Sequence, residues 1–261
     1  MIDQQTLSRL KTWFSEYVGT FKTGDSNYQQ NITLKEEHSL RVCAEILDIG
    51  KSLGLSEKDL LRAEATALFH DIGRFSQYKK YGTFHDLVSE NHAVLGVSVL
   101  KELNVLDGVD RSTRGLILRA VLYHNRAELP EDETEECLFF ARLLRDADKL
   151  DIYRVLTDHY GNTHGPKNRS IELDLPDVPE VSDEVCSALL AGEIARAASI
   201  KTLNDFKLLQ MGWVYDLNFP QTYRLVRERG YIEKILHVLP QFDVVRDIYS
   251  RITHILEANG D

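Results

Sequence analysis

Apolar positions recur along most of the chain at steps of three and four, the pattern of helices that bury one face. Alternating runs of β-branched residues, which would announce half-buried strands, are scarce. The pattern predicts a first helix over 3–20 and, after the polar turn GDSNYQQN, a second from Thr33 to about Leu53. Thr33 with Glu36 three residues on has the form of a capping box, and Gly54 supplies a stop. Ser56 caps a third helix ending near His70 and Asp71. The stretch GRFSQYKKYGTFHD reads as a loop, and helices follow near 88–103, 111–124 and 134–157. Residues 158–180 hold three of the six prolines and read as an irregular excursion, with a short strand pair around Ser170–Leu175. Residues 181–261 return to a helical pattern, with Pro220 and Pro240 at helix starts. The expected architecture is all-α. It is a single compact domain over 1–261, with a core at about 34–157 and a C-terminal helical extension over 181–261.

Composition narrows the partners. Across 261 residues, 31 basic side chains face 41 acidic ones, a net charge of −10. Such a field repels long nucleic acids and anionic membranes, although a local metal site can reverse it for a small anion. Cys43, Cys137 and Cys186 are scattered and form no metal knuckle, which fits reduced core thiols. The opening MIDQQTLSRLKTWF lacks the form of a signal peptide, and no apolar run approaches a membrane span. These features predict a cytoplasmic protein; oligomeric state is not legible.

Chemistry enters where polar groups interrupt apolar stripes. His38 shares a helical face with Val42, Ile46, Ile49 and Leu53. His92 lies with Leu95, Gly96, Val99 and Leu103, and His124 with Ile117, Ala120 and Val121. Asp148 lies with Ala141, Leu144, Ile152 and Val155, and His70-Asp71 ends the helix containing ATALF. A charged carboxylate on a core-facing stripe is costly unless paired or bound to metal. One buried histidine is ordinary. A set spread over several helices points to convergence on a divalent metal, for which imidazole and carboxylate suit Zn, Fe, Mn, Ni or Co.

The order His38, His70-Asp71, Asp148, in the contexts EEHSLRV, ALFHDIGR and RDADKLD, resembles the signature of the HD superfamily of metal-dependent phosphohydrolases. The resemblance covers about residues 34–157 and implies an HD-domain helical bundle. HAVLG from His92 and YHN around His124 resemble the dinuclear subgroups. There, His38, His70, Asp71 and Asp148 would hold one ion, and Asp71, His92 and His124 a second, with Asp71 bridging. The implied cofactor is two divalent ions of Mn, Ni, Co, Fe, Zn or Mg. There is no GYP motif, and Asn125 follows His124 where a second histidine is usual, which speaks against cyclic-di-GMP as substrate. The chain also resembles bacterial HD-domain proteins with a GRFxQY…YGTF loop, a likeness that supplies no substrate.

The reaction the resemblance implies is hydrolysis of a phosphate ester in a nucleotide or other small phosphorylated metabolite. Asp71 would be central to catalysis, with Arg74 and Lys149 on the phosphoryl oxygens. Tyr78, Tyr81 and Phe84 offer an aromatic wall. His85-Asp86 reads as a loop dipeptide, Asp151 as the partner of an Arg or Lys, His159 and His164 as surface or lid residues, and His237 and His254 as structural. Two rivals share the ligand set: a di-iron HD-type oxygenase and a non-catalytic nucleotide-binding module.

Overall fold

The computed structural model describes residues 2–162, 168 and 170–260, and among them it contains helices and turns but no strand. The chain divides into two compact units, residues 1–151 and 152–261.

The first unit holds α1 (Gln4–Gly19), α2 (Ser26–Ser52), α3 (Glu57–Phe69), α4 (Gly73–Tyr81), α5 (His92–Glu102) and α6 (Arg111–Tyr123). The first part of α7 (Glu135–Gly161) completes it. Helix α2 packs on α3, α3 on α1 and α6, and α5 on α4 and α6. The core is made by Leu10, Phe14, Ile46, Ile49, Leu68, Phe69, Phe75, Ile117 and Leu144, all fully or nearly fully buried. Ser56 caps α3 as expected, accepting from Asp59 N at 3.2 Å.

Three local expectations need correction. Helix α2 starts at Ser26, not Thr33. Its cap is Asp25, whose Oδ1 accepts from the backbone of Asn27 and Tyr28 at 2.9 and 3.0 Å, leaving Thr33 inside the helix. The stretch expected as a loop forms α4, closed by Gly82 in the left-handed conformation at φ 66°. Phe75 and Tyr78 face inward while Tyr81 is exposed, which aromatic-rich loop composition does not reveal. On α5 the buried face is His92, Ala93, Gly96 and Leu100, while Leu103 is 52% exposed, so the apolar stripe is rotated from the one anticipated.

The glycines of HDIG and HAVLG mark the place where α4 and α5 touch. A Cβ on Gly73 would lie 2.5 Å from Gly96 N and 3.0 Å from Leu95 Cβ, with the His92 carbonyl closer still. Only hydrogen fits there, so backbone packs on backbone. This crossing fixes the start of α5 beside the end of α3.

The second unit contains the end of α7, then α8 (Asp183–Ala191), α9 (Leu203–Gly212), α10 (Pro220–Glu228), α11 (Tyr231–His237) and α12 (Asp243–Asn259). Tyr153 stacks on Tyr231 and donates its hydroxyl to Gln210 O at 2.8 Å. Pro220 opens α10 as expected, whereas Pro240 lies in the connection before α12. The strand pair expected around Ser170–Leu175 is absent: residues 170–174 are turn, with Leu173 and Asp174 at φ 53° and 54°. His159 pairs with Glu172 at 3.0 Å, and His164 lies outside the described residues. All three cysteines are free and buried. No helix among the described residues is long and apolar enough to cross a membrane.

Candidate metal centre

Each histidine of the first unit's buried cluster is held by its Nδ1. His70 immediately follows α3 and places Nδ1 2.7 Å from Ala67 O; His124 immediately follows α6 and places Nδ1 2.7 Å from Val121 O. A carbonyl only accepts, so these nitrogens carry the proton. Each bond adds to a carbonyl in the last turn of its helix, and Ala67 O also takes the His70 amide at 3.4 Å. His38 on α2 donates from Nδ1 to Asp151 Oδ2 at 2.7 Å. His92, the first residue of α5, donates to Asp86 Oδ2 at 2.7 Å. In its neutral form every one of these rings therefore turns a bare Nε2 lone pair inward.

The lone pairs converge in two sets. His38 Nε2 lies 3.1 Å from His70 Nε2, and His92 Nε2 lies 2.9 Å from His124 Nε2. Asp71 stands between the pairs and gives one oxygen to each. Its Oδ2 is 3.5 Å from His38 and 3.7 Å from His70, while Oδ1 is 3.3 Å from His92 and 3.8 Å from His124. Asp148 Oδ1 joins the first set at 3.1 Å from His38 and 3.5 Å from His70. Within each of the two triads sharing Asp71, the ligand atoms lie within 4.8 Å of one another, and all five residues are buried.

The residues fit a divalent metal. Asp148 Oδ1 is buried with no hydrogen-bond partner. Facing lone pairs and an unpartnered buried carboxylate oxygen are each costly by themselves. Around an ion with bonds of ~2.1 Å, donor atoms about 3 Å apart are what one coordination shell requires. The sequence-predicted set His38, His70, Asp71, His92, His124 and Asp148 is thus brought together in one place.

Electrostatics prepare the donors. Burial raises the Asp71 carboxyl, but Lys35, His70, Arg74 and His92 outweigh it and hold the group well below the usual carboxylate range. Asp148 is likewise lowered, because His38 and His70 outweigh burial. Burial, then the neighbouring His92 and His70, push His124 down to about 3. Burial and Arg74 lower His92. His38 goes the other way: burial and Lys35 act downward, but Asp148 and Asp151 prevail and raise it.

Several participants were not anticipated. Lys35 Nζ sits 2.7 Å from Asp71 Oδ2. It lies one helical turn before His38, which is the signal that could have found it. Asp86, expected to be an incidental loop residue, braces His92. Asp151 pairs with Arg41, as expected of it, through Arg41 Nε at 2.6 Å, and also braces His38. Arg74 donates to Gln77 Oε1, Phe84 O and Asp86 Oδ1 through Nη1, and its Nε faces Asp71 Oδ1 at 3.4 Å. Lys149 follows Asp148 on α7 and is half-buried. The aromatic wall is a packing feature: Tyr78 and Phe84 stack at 4.7 Å and are both buried. The Phe84 ring instead lies under both Lys35 and Arg74, at 5.5 and 6.0 Å.

Residues 36–153 match the HD domain family model, and this span includes the whole converging set. No curated protein and no solved structure gives a match. Residues 36–153 are an HD domain, a type that is typically a metal-dependent phosphohydrolase.

Proposed function

We propose that the HD domain of residues 36–153 hydrolyses a phosphate ester in a nucleotide or another small phosphorylated metabolite, using two divalent ions. The observation that carries this reading is the division of Asp71, with one oxygen turned to each histidine pair. His38, His70, Asp71 Oδ2 and Asp148 would hold one ion, and His92, His124 and Asp71 Oδ1 the other. Paired divalent ions supply a bound water of lowered pKa and a counter-charge for the attacking and leaving oxygens.

The chain's own charges support an anionic substrate. Asp71, Asp86, Asp148 and Asp151 are set against Lys35, Arg41 and Arg74, so the protein groups nearly cancel. Loading with divalent cations then makes the centre positive, which attracts a phosphoryl group inside an otherwise acidic protein. In this reading Arg74 offers its Nε–H, buried without a hydrogen-bond partner, to a phosphoryl oxygen. Lys149, which follows Asp148 on α7, would supply a second cation to the same group in this reading. Both neutralise charge that grows in the transition state.

The test is turnover of phosphomonoesters, phosphodiesters and nucleotides with Mn, Ni, Co, Fe, Zn or Mg added to stripped protein. Phosphate or alcohol release with at least one metal is the expected result. Oxygen uptake without phosphate release would move the assignment to the di-iron oxygenases. Tight nucleotide binding without turnover under any metal would move it to a binding module.

A further inference from the structure

We infer that Asp86 is the positioning residue that sets the affinity of the second ion, the one between His92, His124 and Asp71 Oδ1. The inference rests on the dinuclear reading above and assigns a role to a residue outside its ligand set.

The two halves of the centre are built alike. Each has one histidine braced by a backbone carbonyl, His70 or His124, and one braced by a carboxylate. Asp151 braces His38 and Asp86 braces His92. The carboxylates differ in how they are held. Asp151 is fully buried and takes two bonds from Arg41, at 2.6 and 3.1 Å. Asp86 stands in the short turn Asp86–Val88 with its side chain 26% exposed. On the Nε2 side the first half also has two carboxylates, Asp71 and Asp148, whereas among the described residues the second has Asp71.

The turn that carries Asp86 is not anchored by apolar burial. Leu87 is 77% and Val88 67% exposed. Polar bonds hold it instead. Asp86 Oδ1 accepts from Arg74 Nη1 at 2.9 Å and from Gln77 Nε2 at 2.8 Å. Fully buried Gln77 also donates to Ser89 Oγ and Glu90 O, at 2.9 and 2.8 Å. Asn125 Nδ2, one residue beyond His124, reaches Asp86 Oδ2 at 3.1 Å. A single carboxylate therefore fixes the turn, the tautomer of His92 and the residue beside His124. A brace of this kind orients the ring and raises its basicity as a ligand.

The experiment is calorimetric titration of Mn2+ into the metal-stripped full chain, for the wild type, Asp86→Ala and Asp86→Asn. The wild type is expected to bind in two steps. In Asp86→Ala the weaker step should lose about 10–100-fold in affinity, with the tighter step unchanged within about twofold. Asp86→Asn keeps an acceptor for His92 Nδ1–H but loses the charge, and should fall between. Equal weakening of both steps, or no change in either, overturns the inference. A wild type that binds only one ion overturns it together with the dinuclear reading. Two steps in a wild type that releases no phosphate overturn the hydrolase assignment and leave the role of Asp86 standing.

Discussion

Asp71 faces both histidine pairs, so its loss is expected to be the most severe single change. Asp71→Ala should lose bound metal from both halves and reduce turnover to the assay background; elemental analysis beside the activity assay checks this, and full metal content would contradict it. His92→Ala and His124→Ala should instead bring the stoichiometry from two ions towards one, again by elemental analysis. Proton competition gives a further outcome. A ligand histidine must release any proton on Nε2 before it binds metal. Neighbouring carboxylates raise His38 above its ordinary value, whereas Asp71 and Asp148 stay ionised into acid. Metal affinity should therefore fall as pH drops below the raised His38 value, approaching about tenfold per pH unit for its one displaced proton. Titrations in buffers of different ionisation enthalpy would detect that proton. At this scale the ligands were legible because a polar residue on an apolar helical stripe demands a partner. Asp86 and Gln77 were not, because which polar side chain braces a buried ring is decided by packing between elements.

Between elements, the contact of α4 with α5 is the tightest constraint on the centre. Gly73→Ala would drive a methyl group into Gly96 N and the His92 carbonyl. The expected cost is about 1–3 kcal/mol by denaturant unfolding, with selective loss of the second ion because His92 moves with α5. In the second unit, Asp205 ties the starts of α8 and α9 together. It accepts from Ser182 N and Oγ, both at 2.7 Å, from Lys201 N at 3.0 Å and from Thr202 N at 3.1 Å. Burial raises its pKa, but these bonds prevail and lower it. Its contribution is thus present above the unfolded carboxylate value, about 4, and is lost as pH falls through the lower folded value. Asp205→Ala should cost about 1–3 kcal/mol at neutral pH, and the difference from wild type should shrink in acid. Periodicity revealed most helices, yet α4 escaped it. Gly73, Ser76 and its three aromatic residues weaken its helical bias, and it is held by the Gly73 crossing and the Gly82 cap.

Over the whole chain the all-helical class was legible, because helical periodicity extends through both units. The boundary between the units was not, since it falls at 151/152 inside α7, where sequence offers neither proline nor glycine. The metal donors are supplied by α2, α5 and α7 and by the residues that close α3 and α6, separated by up to 110 positions between His38 and Asp148. Ions shared among them would act as removable cross-links on the first unit. Chelation should accordingly lower the melting temperature, and returning metal at 100 times its Kd should restore about 2.7 kcal/mol, as read by calorimetry. The same arrangement makes proteolysis a gauge of metal supply: a starved copy would open more often and be cut sooner, tying its lifetime to the ions that equip it for work.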